Sequence, residues 1–314
     1  MRKMPIFLAT LRDLMHYTVV VTMFNCQDSL KKVLDGIQSL APPPSEVIFV
    51  DDASSDDSVK IVLGFQSNLA NVYLIQNDAN MGQSYSRNLG VNKATNPYII
   101  FMDDDDYSCP DRAEIHLAAL ASGADFSYVS SMKIYQGEYF LNARNDDFRS
   151  SSDSVTPLIK HLTTNARFKD FKNIYAPSCT LAVQKKSFGN INGFREDMRR
   201  LEDIELACRA LTKGLILDWS SSIAVERNDT SGSDKTAKAN FAGELAVLES
   251  VKEIIGDREY FIAKQMAIFR MYYFQHDWSK IFLKSFQLLF IIFLYPPKIL
   301  SIIRRVMHDF AQRF

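Results

Sequence analysis

Four consecutive aspartates, Asp103 to Asp106, directly follow the apolar run from Tyr98 to Met102. The aromatic and β-branched residues of that run are typical of a buried strand. Because an unpaired buried charge is costly, the carboxylates must lie where the strand leaves the core, at an edge of its sheet. Their oxygen atoms are ligands that Mg²⁺ and Mn²⁺ prefer. On these residues alone, a metal site and a solvated acidic turn closed by Pro110 are equally good interpretations.

Composition narrows the class of protein. The 314 residues suit one large α/β domain or two smaller ones, and the formal net charge of -1 argues against a nucleic-acid-binding surface. The four cysteines form no C-x-x-C pair. They therefore predict neither a zinc site nor a disulfide framework, and they favour a reducing cytoplasm. The basic start of the chain has too short an apolar run for a signal peptide, so residues 1–16 are interpreted as a lead-in.

Strand and helix patterns alternate from residue 18 onwards, with strands predicted at 18–24, 46–50, 72–75 and 98–102. Such alternation predicts a mostly parallel sheet with helices on both faces. Polar residues follow three of these strands, namely Asn25, Asp51 with Asp52, and the aspartate run. Ligands of open α/β sheets bind at that edge. The first turn carries neither G-x-G-x-x-G nor G-x-x-x-x-G-K-[ST], so dinucleotide and P-loop interpretations lose support.

Six short motifs, in this order, resemble the family 2 glycosyltransferases. They are V-T-M-F-N at 21–25, V-D-D-A-S-S-D at 50–56, N-M-G at 80–82 with S-R-N at 86–88, the aspartate run with Pro110, N-G-F-R-E at 192–196, and E-D at 202–203. Each motif is weak alone, but six in order over roughly residues 17 to 233 are a strong signal. The resemblance implies a GT-A fold in a catalytic domain at 17–238, followed by a helical C-terminal region at 239–314.

The resemblance also implies a function. Family members transfer a sugar with inversion from a nucleotide sugar, usually a UDP-sugar, to a saccharide or lipid-linked acceptor, often in bacterial surface-polysaccharide synthesis. By this resemblance Asp52 would accept a hydrogen bond from the uracil, and Asn25 would shape the nucleoside pocket. Arg87 would reach the nucleotide or its phosphates.

The same resemblance assigns a metal site. In the D-x-D-D pattern, Asp103 would contact the ribose or a metal-bound water, and Asp105 would bind the metal directly. Mn²⁺ or Mg²⁺ there would bridge the two phosphates and neutralise charge on the departing UDP. A run of four aspartates leaves a one-residue ambiguity, so Asp104 and Asp106 remain less favoured ligands.

One segment departs from the family pattern. Many members carry R-x-H-x-x-S near the end of the domain, and its His can complete the metal shell. Here Asn228 stands in place of that His, where it can still offer an oxygen ligand, and Arg227 is one position away from the expected Arg. Arg227 is predicted to clamp the diphosphate of the donor. The polar stretch from 229 to 238 is a candidate lid.

The pair Glu202-Asp203 matches the family's E-D motif, in which Asp203 would be the general base that takes the proton of the acceptor hydroxyl. Its position at the start of a helix predicts a lowered pKa that keeps it ionised. The alternative is that both acids merely cap that helix. Glu202 and Ser178 are expected on the acceptor side of the site.

Three other functions compete with this prediction. A sugar-nucleotide pyrophosphorylase would need a Gly-rich, basic loop at the first turn, which is lacking here. A phosphoryl-transfer enzyme of the D-x-D-x-T type that begins at Asp103 would need Thr where Tyr107 stands. A non-catalytic, membrane-attached protein that binds nucleotide sugars would use Asp203 only as a helix cap.

The segment from Lys280 to Tyr295 is apolar with basic residues at its flanks. It is shorter than the ~20 residues that a spanning helix needs, and Pro296 and Pro297 interrupt it. Its composition suits an interfacial anchor on the anionic cytoplasmic leaflet. We therefore predict a peripheral protein on the inner face of the cell membrane, where a lipid-linked acceptor would be at hand. The alternative is that this segment packs on the catalytic domain or forms a homodimer interface.

Overall fold

The computed structural model describes residues 16–66, 71–135, 138–164, 168–171, 173–228, 236–275, 277 and 279–280. The strands are β1 Tyr17–Met23, β2 Glu46–Asp51, β3 Val72–Gln76, β4 Tyr98–Asp103, β5 Tyr107–Ser108, β6 Phe126–Tyr135, β7 Glu138–Ala143, β8 Phe148–Arg149, β9 Leu181–Gln184 and β10 Leu217–Asn228. The helices are α1 Leu30–Ser39, α2 Ser58–Gln66, α3 Gln83–Lys93, α4 Arg112–Ala121, α5 Val155–Thr164, α6 Lys185–Asn190, α7 Glu202–Thr212, α8 Ala237–Ser250, α9 Lys252–Ile255 and α10 Asp257–Phe274.

The strands of these described residues form one sheet in the order β3-β2-β1-β4-β9-β6-β10-β5, with β7 beside β6 and β8 beside β10. The half built from β3, β2, β1 and β4 is parallel, as the alternating pattern predicts. Strand β9 runs antiparallel to both β4 and β6, and β10 runs parallel to β6. The carboxyl ends of β4, β6 and β10 therefore lie at the same edge as the beginning of β9.

Helices cover both faces of the parallel half because its strands are apolar on both sides. On β1, Val20 packs in one core with Val91 of α3, whereas Val19 and Val21 pack in a second core with Val33 of α1. All seven residues of β1 are buried. A continuous apolar run, rather than strict alternation, is the expected pattern for such a strand.

The helices that follow the sheet join the same core. Leu248 of α8, Ile255 of α9 and Ala263 of α10 belong to the core that contains Val20. The described part of the helical C-terminal region is thus packed on the α/β domain. Within the described residues, no helix is both long and apolar enough to cross a membrane. The predicted interfacial segment, beyond Lys280, lies outside the described residues.

Candidate active site

Parallel pairing brings the predicted polar residues to one edge of the sheet. Met23 at the end of β1 is aligned with Asp51 on β2, and Thr22 is aligned with Asp103 on β4. The segments after these strands are linked by hydrogen bonds. The backbone N–H of Phe24 donates to Oδ2 of Asp104 over 2.8 Å. The expectation that these motifs meet at one edge is therefore confirmed by the register.

Asn25 holds the turn that follows β2. Its backbone has a φ of 49°, and its Oδ1 accepts a hydrogen bond from the Ser55 N–H over 2.8 Å. Its own N–H donates to the Ser54 hydroxyl over 2.9 Å. Asn tolerates this left-handed conformation better than most residues. The side chain thus shapes the loop between β2 and α2, on the side where a nucleoside is predicted.

Asp52 holds a second loop. Its Oδ1 accepts hydrogen bonds from Asn77 Nδ2 and the Met81 N–H, and its Oδ2 accepts one from the Gly82 N–H, each over 2.8 Å. Gly82 has a φ of 94°, which favours glycine at that position. The N-M-G motif therefore belongs to a loop clamped by this buried carboxylate.

Arg87 connects the two acidic motifs. It is 2% exposed on α3, and its Nη2 lies 2.8 Å from Asp103 Oδ1 while its Nη1 lies 2.9 Å from Glu202 Oε1. The guanidinium also stands 5.3 Å from the centroid of the Phe194 ring. One buried cation thus joins the end of β4 to the beginning of α7. Asp103 and the pair Glu202-Asp203 are therefore held close together.

The four aspartates of the run are not equivalent in the structure. Asp103, Asp106 and Cys179 place one ligand atom each within 4.8 Å of one another. Oδ2 of Asp106 is buried and has no hydrogen-bond partner among the described residues. Asp105, predicted as the direct metal ligand, lies next to this cluster but is not one of its three members, and it is half-buried.

Two arginines balance the charge of this cluster. Arg227 of β10 places Nε 3.9 Å from Asp106 Oδ2, on the same edge as Asp103. Arg112 of α4 is fully buried and donates to the carbonyl oxygens of Phe101 and Cys179 over 2.6 and 2.7 Å. Arg112 therefore fixes the backbone on both sides of the cluster from beneath.

Burial changes the acidity of the run. Loss of solvation raises the pKa of Asp104 to about 7, and the charges of Asp105 and Asp103 add to the rise. The same loss of solvation raises the pKa of Asp106 to about 8; the charges of Asp103 and Asp105 add to the rise, and the charge of Arg227 and a hydrogen bond with the Cys179 side chain oppose it. A cation that entered the cluster would offset this repulsion.

Asp203 is the second acid of α7, and protein atoms surround its carboxyl although part of the residue remains open to solvent. Desolvation raises its pKa to about 7; the charge of Glu202 adds to the rise, and Arg87 and Arg227 oppose it. The predicted lowering of this pKa by the helix terminus is therefore wrong. A helix dipole contributes about 0.3–1 kcal/mol at an exposed site, whereas a shift of one pKa unit corresponds to ~1.4 kcal/mol, so burial dominates.

Of the other predicted site residues, some lie beside the cluster and some fall outside the described part of the structure. Ser178 is buried in a short turn, Ser178–Thr180, that leads into β9 beside the cluster. Glu202 is held by Arg87 rather than directed towards solvent. Asn228 ends β10 opposite Ile134, but its side chain lies outside the described part of the structure, as do residues 229–235 of the predicted lid.

The sequence did not predict that Cys179 or Arg112 lies beside the aspartates. Cys179 lies in the turn that leads into β9, and Arg112 lies on α4; both reach the site because β9 pairs with β4 and α4 packs against it. No local spacing in the sequence indicates these contacts between distant segments. Arg112 lies two residues after Pro110 and is the first residue of α4, where an exposed arginine is the ordinary expectation. The strands β7 and β8, in a stretch that is partly polar, were likewise missed.

Residues 18–191, more than half of the chain, match the family described as glycosyl transferase family 2, and the chain belongs to that family. EpsE of Bacillus subtilis, which is named as a glycosyltransferase, is 26% identical over 203 residues, or 63% of this chain and 67% of EpsE. A Campylobacter jejuni protein named GalNAc(5)-diNAcBac-PP-undecaprenol beta-1,3-glucosyltransferase is 32% identical over 90 residues, or 28% of this chain and 29% of that protein.

The fold has solved counterparts. The crystal structure of S. aureus TarS 1-349 in complex with UDP-GlcNAc matches with a TM-score of 0.60 at 16% identity, covering 83% of this chain and 73% of that chain. At this identity the likeness shows the fold alone, and it confirms the predicted GT-A class. A Staphylococcus epidermidis protein named teichoic acid poly(glycerol phosphate) polymerase is 29% identical over 90 residues, or 28% of this chain and 12% of that protein.

Proposed function

We propose that this protein transfers a sugar, with inversion, from a UDP-sugar to a saccharide or lipid-linked acceptor. The observation that carries the proposal is the meeting of two acidic groups in one site. Arg87 binds Asp103 at the end of β4 and Glu202 beside Asp203. Membership of the family favours glycosyl transfer over the pyrophosphorylase alternative.

In this proposal Asp203 is the general base. As the acceptor oxygen bonds to the anomeric carbon, the bond from that carbon to the phosphate oxygen breaks on the opposite side. The carboxylate takes the hydroxyl proton, and the UDP leaves with the electron pair of the broken bond. A pKa of about 7 suits this task, because the group is ionised near neutral pH and still basic enough to accept a proton.

The described residues fit a divalent cation at the cluster. Oδ2 of Asp106 is a buried carboxylate oxygen without a hydrogen-bond partner among the described residues, and Asp103 offers a further oxygen beside it. Mn²⁺ or Mg²⁺ would be held there, with Asp105 and the side chain of Asn228 as the further ligands that we propose. When bound, such an ion supplies charge neutralisation at a diphosphate.

Donor recognition is proposed for the loops after β1 and β2. A carboxylate has about four lone-pair positions, and three of those on Asp52 are used by the chain itself, so one is left for a pyrimidine N–H. Asn25 shapes the same pocket, and Arg227, 33% exposed, is placed to meet the phosphates. Since the guanidinium of Arg87 is committed to Asp103 and Glu202, its contribution to the donor is to hold those acids.

The acceptor side is proposed to lie near Glu202, Ser178 and the helices that follow. A cavity of about 160 Å³ begins at Leu201 and is bordered by Phe241, Met271 and Phe274. Asn240, Glu244 and Arg270 also line this cavity, and such a mixed lining supports an acceptor with both a saccharide and an apolar part, such as a lipid-linked saccharide. The Campylobacter relative, named for an undecaprenol-linked substrate, supports the same class.

The proposal is tested with a panel of UDP-, GDP- and TDP-sugars. Thermal shift with Mn²⁺ identifies the donor that binds, and transfer or hydrolysis of that donor is then compared between wild type and Asp203→Asn. We expect donor binding to persist and turnover to fall by about 10²- to 10⁴-fold. Asp35→Asn, on the outer side of α1, is the matched control. Unchanged turnover in Asp203→Asn would show that Asp203 only caps α7.

A further inference from the structure

We propose that Cys179 supplies a thiolate ligand to the cation of this site, together with Asp103 and Asp106, and so makes the site prefer softer divalent metals than an all-oxygen site would. The inference deepens the proposed function, on which it rests for the identity of the cation that meets the donor diphosphate. It concerns which residues hold that cation and which metals they favour.

The geometry of the three side chains carries the first step. One oxygen of each carboxylate and the Cys179 Sγ all lie within 4.8 Å of one another. Metal–oxygen distances of about 2.0–2.2 Å and metal–sulfur distances of about 2.3 Å allow ligands on opposite sides of one ion to lie ~4.5 Å apart. The cluster therefore has the dimensions of a single coordination sphere.

An independent observation is the state of Asp106. Its side chain is almost completely buried, yet Oδ2 has no hydrogen-bond partner among the described residues. Buried carboxylate oxygens are normally satisfied, since leaving one unpaired is costly. The nearest cationic atom described is Arg227 Nε, at 3.9 Å, which is too distant for a hydrogen bond. An ion between Asp103, Asp106 and Cys179 would satisfy this oxygen.

The position of Cys179 is fixed from outside the cluster. Arg112 binds the Cys179 carbonyl oxygen over 2.7 Å and the Phe101 carbonyl oxygen over 2.6 Å. The same guanidinium thus holds the backbone of the cysteine and the strand that carries Asp103. Asp103 and Arg227 are 20% and 33% exposed, so the cluster is open on the side where a cation would enter.

The chemistry of sulfur predicts the consequence. Thiolates select Cd²⁺, Zn²⁺ and Co²⁺ over Mg²⁺, whereas carboxylate oxygens alone suit Mg²⁺ and Mn²⁺. The thiol gives up its proton to solvent when Sγ binds the ion. A merely structural Cys179 would instead remain a small buried side chain, and replacing it would not change the order of metal affinities.

The test uses the full chain with metal alone. Co²⁺ is titrated into wild type, Cys179→Ser and Cys208→Ser, and the near-ultraviolet thiolate-to-cobalt absorption is recorded. Cys208 is a matched control because it is equally buried, on α7, and is not a member of the cluster. A fourth protein, with Cys26, Cys109 and Cys208 all replaced by Ser, keeps Cys179 as its single cysteine.

We expect the absorption in wild type, in Cys208→Ser and in the single-cysteine protein, and its loss in Cys179→Ser. Calorimetry should show that Cys179→Ser lowers the affinity ratio of Cd²⁺ over Mn²⁺ by about tenfold or more. Asp106→Asn should weaken the binding of both ions. Absence of the absorption in the single-cysteine protein, or an unchanged affinity ratio in Cys179→Ser, would overturn the inference.

The inference and the proposed function fail separately. Sugar transfer with Mn²⁺ by a wild-type protein that shows no thiolate-to-cobalt absorption would refute the thiolate ligand and leave the function intact. Conversely, the absorption without turnover of any donor would leave the ligand set intact and refute the function.

Discussion

At the scale of the residue, Asp203 combines a helix-terminal position with burial, and burial decides its acidity. Since the proposed base acts only when ionised, kcat/KM should rise about tenfold per pH unit below a pKa of about 7 and become constant above it. The measurement is a pH profile of transfer at fixed, saturating metal concentration.

The control for this profile is Asp203→Asn, which should remove the rising limb together with most of the activity. The exposed acid Asp35 is ion-paired only with Lys31 in the described contacts, so Asp35→Asn should retain the wild-type profile. A rate that is flat across this range, or that falls as the pH rises through 7, would contradict the role of Asp203.

At the scale of the element, Arg87 joins α3, β4 and α7. Arg87→Met leaves Asp103 and Glu202 without their buried counter-charge, which should lower the free energy of unfolding by about 3–5 kcal/mol. Urea unfolding followed by tryptophan fluorescence measures the loss, since Trp219 is stacked on Tyr128 in the core. The matched control is Arg195→Met, which breaks an exposed pair and should cost less than about 1 kcal/mol. Equal losses in the two variants would show that the Arg87 link is not a stabilising one.

Two helical glycines test how closely α3 approaches the sheet. A Cβ on Gly90 would lie 2.4 Å from Cγ1 of Val20, so Gly90→Ala should destabilise the protein by about 1–3 kcal/mol through overpacking. A Cβ on Gly64 of α2 would meet no described atom within 4 Å, so Gly64→Ala should stabilise by about 0.4–1 kcal/mol. Thermal unfolding compares the pair. Stabilisation of the protein by Gly90→Ala as well as by Gly64→Ala would mean that α3 can move away from β1 at little cost.

At the scale of the whole molecule, residues 280–314 are predicted to anchor the protein to a membrane surface. We expect the full chain to sediment with vesicles rich in anionic lipid and a chain ending at residue 279 to stay in solution, because each basic residue near such a surface adds about 1 kcal/mol. Raising the salt concentration should weaken the binding of the full chain. If both forms stay in solution, size-exclusion chromatography distinguishes packing on the domain from a homodimer interface.

Much of the α/β architecture was predictable because its signals are local. The strands predicted at 46–50 and 98–102 are found at Glu46–Asp51 and Tyr98–Asp103. A short, continuous apolar run that ends in acidic residues is typical of a buried parallel strand. The strands β7 and β8 were not predicted. β8 has two residues and pairs with β10, a distant segment of the chain, whereas β7 pairs with the neighbouring β6 but has an apolar run of only three residues, 139–141.

The amino-acid sequence by itself determined the order of strands and helices, the acidic edge and the family, because these depend on residue types and on spacing within short segments. Only the tertiary structure decided that Cys179 lies beside Asp103, that Arg87 is buried between two acids, and that Asp203 has a raised rather than a lowered pKa. Those properties depend on desolvation and on charges brought together from distant parts of the chain, which no local pattern encodes.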